Sequence, residues 1–290
     1  MYAHPLATNH IDYELLSELS AAILDAAGGA DRFQRVIPPL FRTAIDEVID
    51  APRTGRMLIE ETEKTEKTYL GTKMEILLRD CLGLPKGASL DLSIAGIDCD
   101  IKHTMGTAWS IPSENVGHPA ILLRESEATA LCDFGLINIR PEYLNVGANK
   151  DGKKTIAARH REHIWWLLRD YPYPKNFWLI LSDAQRRALK KAGAPTNRLA
   201  ALFEMMPGIA IPRSAVEALA NQKDPMKRVR RNGGARDILA PKGIAILFGL
   251  TDKQIILDLG YTNVSSDEFI SHIPKNESEA ARLRREGHID

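Results

Sequence analysis

Asp91-Leu-Ser-Ile-Ala-Gly-Ile-Asp-Cys-Asp100-Ile-Lys102 is the stretch whose reading decides the fold. Two short apolar runs flank Ala95-Gly96, and a break of that kind between such runs predicts a hairpin of two strands. Strand side chains repeat with period two, so Asp98, Asp100 and Lys102 fall on one face and Cys99 and Ile101 on the other. Glu75 lies upstream on a predicted helix, at the rim of its apolar stripe. Carboxylate oxygens suit a hard divalent cation. A lysine beside them can orient an attacking water or offset charge that develops on a phosphate. The set Glu75, Asp91, Asp100 and Lys102 therefore reads as a metal-dependent phosphodiester-hydrolysing centre. The competing reading is a solvated edge-strand face, where Asp100 and Lys102 form a surface pair worth under about 1 kcal/mol. His103 follows directly, placed either to contact phosphate or as a supporting or surface residue.

Helical spacing of apolar residues precedes this hairpin in three places. Leu15, Leu16, Leu19, Ile23 and Leu24 mark a helix within 11–29. Phe33, Val36, Ile37, Leu40, Phe41, Ile45 and Val48 mark another within 31–50, with Gly28-Gly29 between them. Leu70, Met74, Leu77, Leu78 and Cys81 give a third over 68–82, stopped by Gly83 and Pro85. After the hairpin, 119–124 and 130–140 read as strands, 145–155 as a loop and 156–169 as a helix. The fold class expected is α/β (α+β): a mixed sheet flanked by helices, followed by a mainly α module.

Tyr171-Pro172-Tyr173-Pro174 marks the expected boundary, because two prolines fix an extended path and remove two donors. The expected domains are 1–170 and 177–290, joined by a linker over 171–176. In the second, 177–181 reads as a strand, and 183–192, 196–206 and 212–221 as helices. A basic helical segment follows over 227–239, broken at Gly233-Gly234, and then a strand over 243–249. Helix, turn, basic helix, strand is the order of a winged helix-turn-helix. Lys223, Lys227, Arg228, Arg230, Arg231, Arg236 and Lys242 outnumber Asp224 and Asp237 there, which suits phosphate contacts. Arg53 and Arg56 are a weaker pair of candidate DNA contacts, and the loop 104–112 with Trp109 is placed to reach a groove. Trp165, Trp166 and Trp178 read as packing residues. The tail from Lys275 is polar and expected to fray.

Composition excludes rather than assigns. Lys+Arg and Asp+Glu are both 38, so total charge does not point to nucleic acid, although local clusters survive such cancellation. Cys81, Cys99 and Cys132 lack metal or disulfide spacing and suit a reducing, cytoplasmic setting. No signal peptide or membrane span is expected.

Taken in order, Arg53-Thr54-Gly55-Arg56, Lys64-Thr65-Glu66-Lys67-Thr68, Gly71-Thr72, Ile94-Ala95-Gly96, Asp100-x-Lys102 and Gly117-His118 resemble the NaeI-type restriction endonucleases. So do Met226-Lys227-Arg228-Val229-Arg230, Gly233-Gly234-Ala235-Arg236 and Ile238-Leu239 in the second half. The likeness implies an N-terminal endonuclease domain with the PD-(D/E)xK core and a C-terminal winged-helix domain of the catabolite-activator type. It implies a homodimer that binds two copies of double-stranded DNA, one as substrate and one as effector. The family's site falls on Glu75, Asp91, Asp100 and Lys102. Asp91 and Asp100 would then hold Mg²⁺ with the Ile101 carbonyl, Glu75 would complete or tune the ion site, and Lys102 would position the water. The chain departs from the pattern at Leu90, which precedes the first acid where the pattern has proline, a change the family tolerates, and after residue 250. A nicking repair nuclease and a non-catalytic DNA-binding regulator remain as alternatives, the second disfavoured by the intact acids and lysine.

Overall fold

Ala95 and Gly96 both take positive φ, 51° and 82°, and close the expected hairpin as a two-residue turn between Ile94 and Ile97. Around it a computed structural model describes residues 4–290; the first three residues, with which the expected first domain begins, lie outside the described part. The elements in chain order are α1 (Tyr13–Ala26), α2 (Ala30–Ile49), α3 (Ala51–Thr54), α4 (Lys64–Leu82), β1 (Leu92–Ile94), β2 (Ile97–Thr104), β3 (Ser110–Ile111), β4 (Pro119–Ser126), β5 (Leu131–Asn138), β6 (Lys154–Thr155) and β7 (Trp165–Pro172). They continue with α5 (Asp183–Lys191), α6 (Pro195–Met205), β8 (Ala210–Pro212), α7 (Arg213–Ala220), α8 (Ala235–Leu239), β9 (Ala245–Phe248), α9 (Lys253–Asp258), β10 (Glu268–His272) and α10 (Glu277–Arg285). The chain forms two compact units, one of Thr62–Asn176 with the described residues up to Val48, the other of Ile49–Glu61 with Phe177–Asp290.

The first unit is built on a five-stranded sheet in the order β1-β2-β4-β5-β7. β2 and β4 run parallel and the other neighbours antiparallel, which makes the sheet mixed. Its two faces differ. Phe33 of α2 packs edge-on to Phe134 of β5 at 5.1 Å, so helices cover one face. Trp109, Ile111, Tyr143, Ile156 and Ile164 pack on Ala120, Leu122, Ile137 and Trp166 on the other. Asp100 pairs in register with Ala120, and Lys102 with Leu122, so both project from this second face. Gly135 belongs to the same face, and a Cβ there would lie 2.5 Å from Ile164 and 2.9 Å from Trp166.

The second unit packs α5 to α8 around Leu199, Leu202, Phe203, Val216 and Leu239, all buried. A three-stranded antiparallel sheet, β8-β10-β9, lies beside them.

Several expectations are corrected. Residues 156–169 are not a helix: a 3₁₀ turn, Ala158–His163, leads into strand β7. Trp165–Leu168 is buried throughout, and a short fully apolar run fits a covered fifth strand as well as a helix. Tyr171 and Pro172 end that strand instead of opening a linker. Phe177–Ile180 is a 3₁₀ turn, not a strand. The basic segment is broken more severely than expected, into a 3₁₀ turn at Pro225–Arg228 and the short α8. Asn232 and Gly233 take φ 70° and 98° between them. The tail does not fray: Asn276 caps α10 through the Glu279 N–H, and Leu283 is fully buried.

Candidate active site

Asp91 enters from a loop that β2 itself holds in place. Asp98 accepts the backbone N–H groups of Ala88 at 3.0 Å and Ser89 at 2.8 Å, one on each carboxylate oxygen. Those bonds hold the Asp98 carboxyl below its usual range. Gly87 is required in the loop because a Cβ would lie 2.7 Å from the Leu90 carbonyl oxygen. So fixed, Asp91 turns its Oδ2 to the backbone N–H of Ile101 at 2.8 Å.

Asp100 and Lys102 follow on β2. Asp100 is 3% exposed, and the Lys102 ammonium stands 2.5 Å from its Oδ2. The two form an ion pair on the strand face. Burial pushes the Asp100 carboxyl up to about 6; Lys102 opposes the rise and the Asp91 carboxylate reinforces it.

Glu75 stands on α4, half-buried, its Oε1 3.3 Å from Arg79 Nη1. The same Arg79 nitrogen lies 3.5 Å from the Asp91 carbonyl oxygen, so this arginine links helix α4 to the Asp91 loop. Burial and the nearby Asp91 charge raise the Glu75 pKa, while Arg79, Lys86 and Lys102 lower it. Sequence reasoning missed Arg79, although its position four residues after Glu75 on a helix was the available signal.

The structure thus brings Asp91, Asp100 and Lys102 together and sets Glu75 at their edge. Among the described residues no three His, Cys, Asp or Glu side chains converge closely enough to cage a metal. A pair of carboxylates is what the geometry offers. It fits a hard divalent cation: every ligand atom the pair offers is a carboxylate oxygen, and the Asp91 carboxylate adds to the cost of ionising the buried Asp100, a cost that a cation between them would offset.

His103 is not at the surface. Its Nε2 meets Glu125 Oε2 at 2.5 Å, with both side chains buried. Trp109 does not reach a groove; it is 1% exposed and donates its indole N–H to the Leu123 carbonyl at 2.8 Å. Trp165, Trp166 and Trp178 are buried.

The candidate DNA contacts fall in the second unit, Arg53 and Arg56 included. Arg53 is exposed and pairs with Asp50. Lys227, Arg230 and Arg231 are exposed, whereas Arg228 is half-buried and bonds Gln222 at 2.8 Å. Arg236 is drawn inward, 3.4 Å from Asp252.

A mixed sheet with Asp91, Asp100 and Lys102 converging on one face defines a restriction-endonuclease-type nuclease domain. The profile of the restriction endonuclease NaeI family matches residues 23–281. A curated relative from Lentzea aerocolonigenes, described as "Type II restriction enzyme NaeI", is 34% identical over 230 residues, which cover 76% of this chain and 72% of the relative. The chain belongs to the NaeI restriction endonuclease family.

Proposed function

We propose that this protein is a type II restriction endonuclease that hydrolyses duplex DNA at a specific sequence with Mg²⁺, stimulated by a second DNA copy. The observation that carries the catalytic part is the convergence of Asp91 and Asp100 on a strand that presents Lys102. Asp91, Asp100 and the Ile101 carbonyl would hold Mg²⁺, with Glu75 completing or tuning the site through water. When bound, the ion supplies charge stabilisation for the phosphate and a lower pKa for a water.

The chain's own residues do the rest. Lys102 orients the attacking water and donates to the phosphate oxygens as negative charge builds on them. Its ion pair with Asp100 holds the ammonium at the reacting face. Asp98, through the loop it pins, keeps Asp91 in place. Arg79 restrains Glu75 against the same loop.

The order α6, α7, α8, β9 and β10 supports a winged helix-turn-helix reading of the second unit, in which Lys227, Arg228, Arg230, Arg231 and Arg236 would contact DNA. Arg53 and Arg56 belong to that unit and would extend its contacts. The enzyme would act as a homodimer, since cutting both strands of a palindromic site calls for two copies of the centre. Reduced cysteines suit the cytoplasm; Cys81, Cys99 and Cys132 are all free thiols. No helix among the described residues is long and apolar enough to cross a membrane.

The test is to incubate the protein with mixed-sequence DNA and Mg²⁺ and to sequence the ends. A single sequence at every end is expected. Random ends, or intact DNA under all divalent ions, would overturn the reading.

A further inference from the structure

We propose that the second unit contains a nucleotide-binding pocket, in which Phe248 and Phe269 receive the base and Arg213, Arg230 and Arg236 receive the phosphate. A cavity of about 370 Å³ opens there, lined by these residues together with Met226. That volume is in the range of small-ligand sites. The Phe248 and Phe269 rings are stacked at 4.5 Å with planes 27° apart. Phe269 is 4% exposed, so it backs the half-buried Phe248 firmly. A base stacks on such an aromatic wall whatever its identity. Met226 adds a polarizable, adaptable edge.

The arginines supply an anion site that the protein itself leaves incomplete. Arg236 Nε is buried and has no hydrogen-bond partner. Its Nη2 lies 3.4 Å from Asp252 Oδ2, an oxygen that already accepts the Phe248 N–H at 2.8 Å. Burial lowers the Arg236 pKa, with Asp252 offsetting part of the effect. An arriving phosphate would supply both the missing acceptor and the missing charge. Arg230 is exposed and makes no ion pair or side-chain hydrogen bond among the described residues. Arg213 gives its Nε to Glu217 at 2.8 Å. Three guanidinium groups therefore face two carboxylates, Glu217 and Asp252, which leaves the pocket positive. Gly234 keeps the wall closed: a Cβ there would lie 2.0 Å from the Arg230 carbonyl oxygen, so only glycine lets the chain fold back between Arg230 and Arg236.

The choice of a nucleotide rests on the DNA-cleaving reading; the cavity, the stacked rings and the unpartnered Nε of Arg236 do not. The nucleotide has two possible sources, a free mononucleotide or one unstacked from DNA. Calorimetric titration of the full chain with deoxyadenosine monophosphate, inorganic phosphate and deoxyadenosine tests the class. We expect saturable binding of the monophosphate, at least about tenfold tighter than either fragment. Arg230→Gln and Arg236→Gln should each weaken it by about tenfold or more, with melting temperature measured to confirm folding. Displacement by a single-stranded oligonucleotide assigns the site to DNA-borne nucleotides, and no displacement assigns it to free ones; either supports the pocket. Duplex binding measured on the same samples separates the two claims. Duplex bound with no monophosphate binding overturns the pocket and leaves the nuclease reading standing. Monophosphate bound with no duplex binding does the reverse. Phosphate bound as tightly as the monophosphate, or indifference to both substitutions in folded protein, also overturns it.

Discussion

Asp91 Oδ2 accepts the backbone N–H of Ile101 at 2.8 Å, so a loop carboxylate is tied to the peptide between Asp100 and Lys102. The β1–β2 ladder ends at Leu92 and Cys99. Beyond that point Asp91 extends the pairing with its side chain in place of its backbone. The two acids therefore converge through strand register, which is stiffer than side-chain rotamer preference. Preorganisation of this kind matters because charge stabilisation works when the groups need not move during reaction.

The tie separates geometry from charge in mutants. Asp91→Asn retains an oxygen for the Ile101 N–H but loses the negative charge. We expect Asp91→Asn and Asp100→Asn each to cut at least about 100-fold more slowly, with DNA affinity changed little because phosphate contacts elsewhere dominate it. Lys102→Ala should lose about 10²–10³ in rate, the loss seen when one preorganised charge-stabilising donor is removed. Single-turnover cleavage beside a binding titration checks all three. Near wild-type cutting by Asp100→Asn would sink the site assignment.

Metal and proton should compete at the same carboxylates. Cleavage is expected with Mg²⁺ or Mn²⁺, and Ca²⁺ should support binding without turnover. Asp100, pushed up to about 6 by burial, takes a proton as pH falls through that value in the metal-free protein. The sign is that of a raised acid. Ionised and unpaired with metal, Asp100 costs folding stability above its folded pKa, and that cost is relieved as pH falls through about 6 towards the unfolded value. The Mg²⁺ concentration for half-maximal cleavage should therefore rise as pH drops below about 6. A metal requirement that is flat with pH, or full activity in excess chelator, would count against it.

Asp98 makes a second kind of prediction, because it holds the loop and not the ion. Asp98→Asn keeps one acceptor oxygen and surrenders the other, so Ala88 or Ser89 loses its partner. The Asp91 carboxylate should then wander, and misplacement by about an ångström can cost 10²-fold in rate. We expect slower cutting with DNA affinity unchanged, and partial recovery at high Mg²⁺. A rate equal to wild type would show that the loop is held by Gly87 and the hairpin alone.

Much of this centre was legible because its residues lie close in sequence. Period two placed Asp100 and Lys102 together, and Ala95-Gly96 announced the turn. Arg79 and the Asp98–Ser89 bond were not read, since they depend on how helix and loop meet. For His103 the surface alternative falls and the supporting one stays open: its partner Glu125 is a strand away, and a polar residue in a strand does not declare which face is covered. The strand β7 was lost to a helix because Trp165–Leu168 is apolar without alternation. The segment Ile49–Glu61 looked continuous with the first half, yet it packs with the second, where Met57 is buried among Trp178 and Leu199. Such a crossing leaves no mark in composition.

The basic segment of the second unit gives the last prediction. It lies some 120 positions beyond β2 in sequence and belongs to a different unit, with Lys227, Arg230 and Arg231 exposed. A second duplex held there should speed cutting if it binds the cutting-competent state more tightly, because differential affinity shifts the population toward that state. A plasmid with several sites should be cut faster than one with a single site, and a short duplex carrying the sequence should accelerate the single-site substrate. Removing charge at Arg228, Arg230 and Arg231 should abolish the acceleration and reduce the salt dependence of binding, since each phosphate that is no longer neutralised takes about one unit off the slope. Unstimulated cutting should persist in that variant, as the first unit retains Asp91, Asp100 and Lys102. If the short duplex only competes, and the triple variant binds and responds as wild type does, the second unit is structural and the effector reading is wrong.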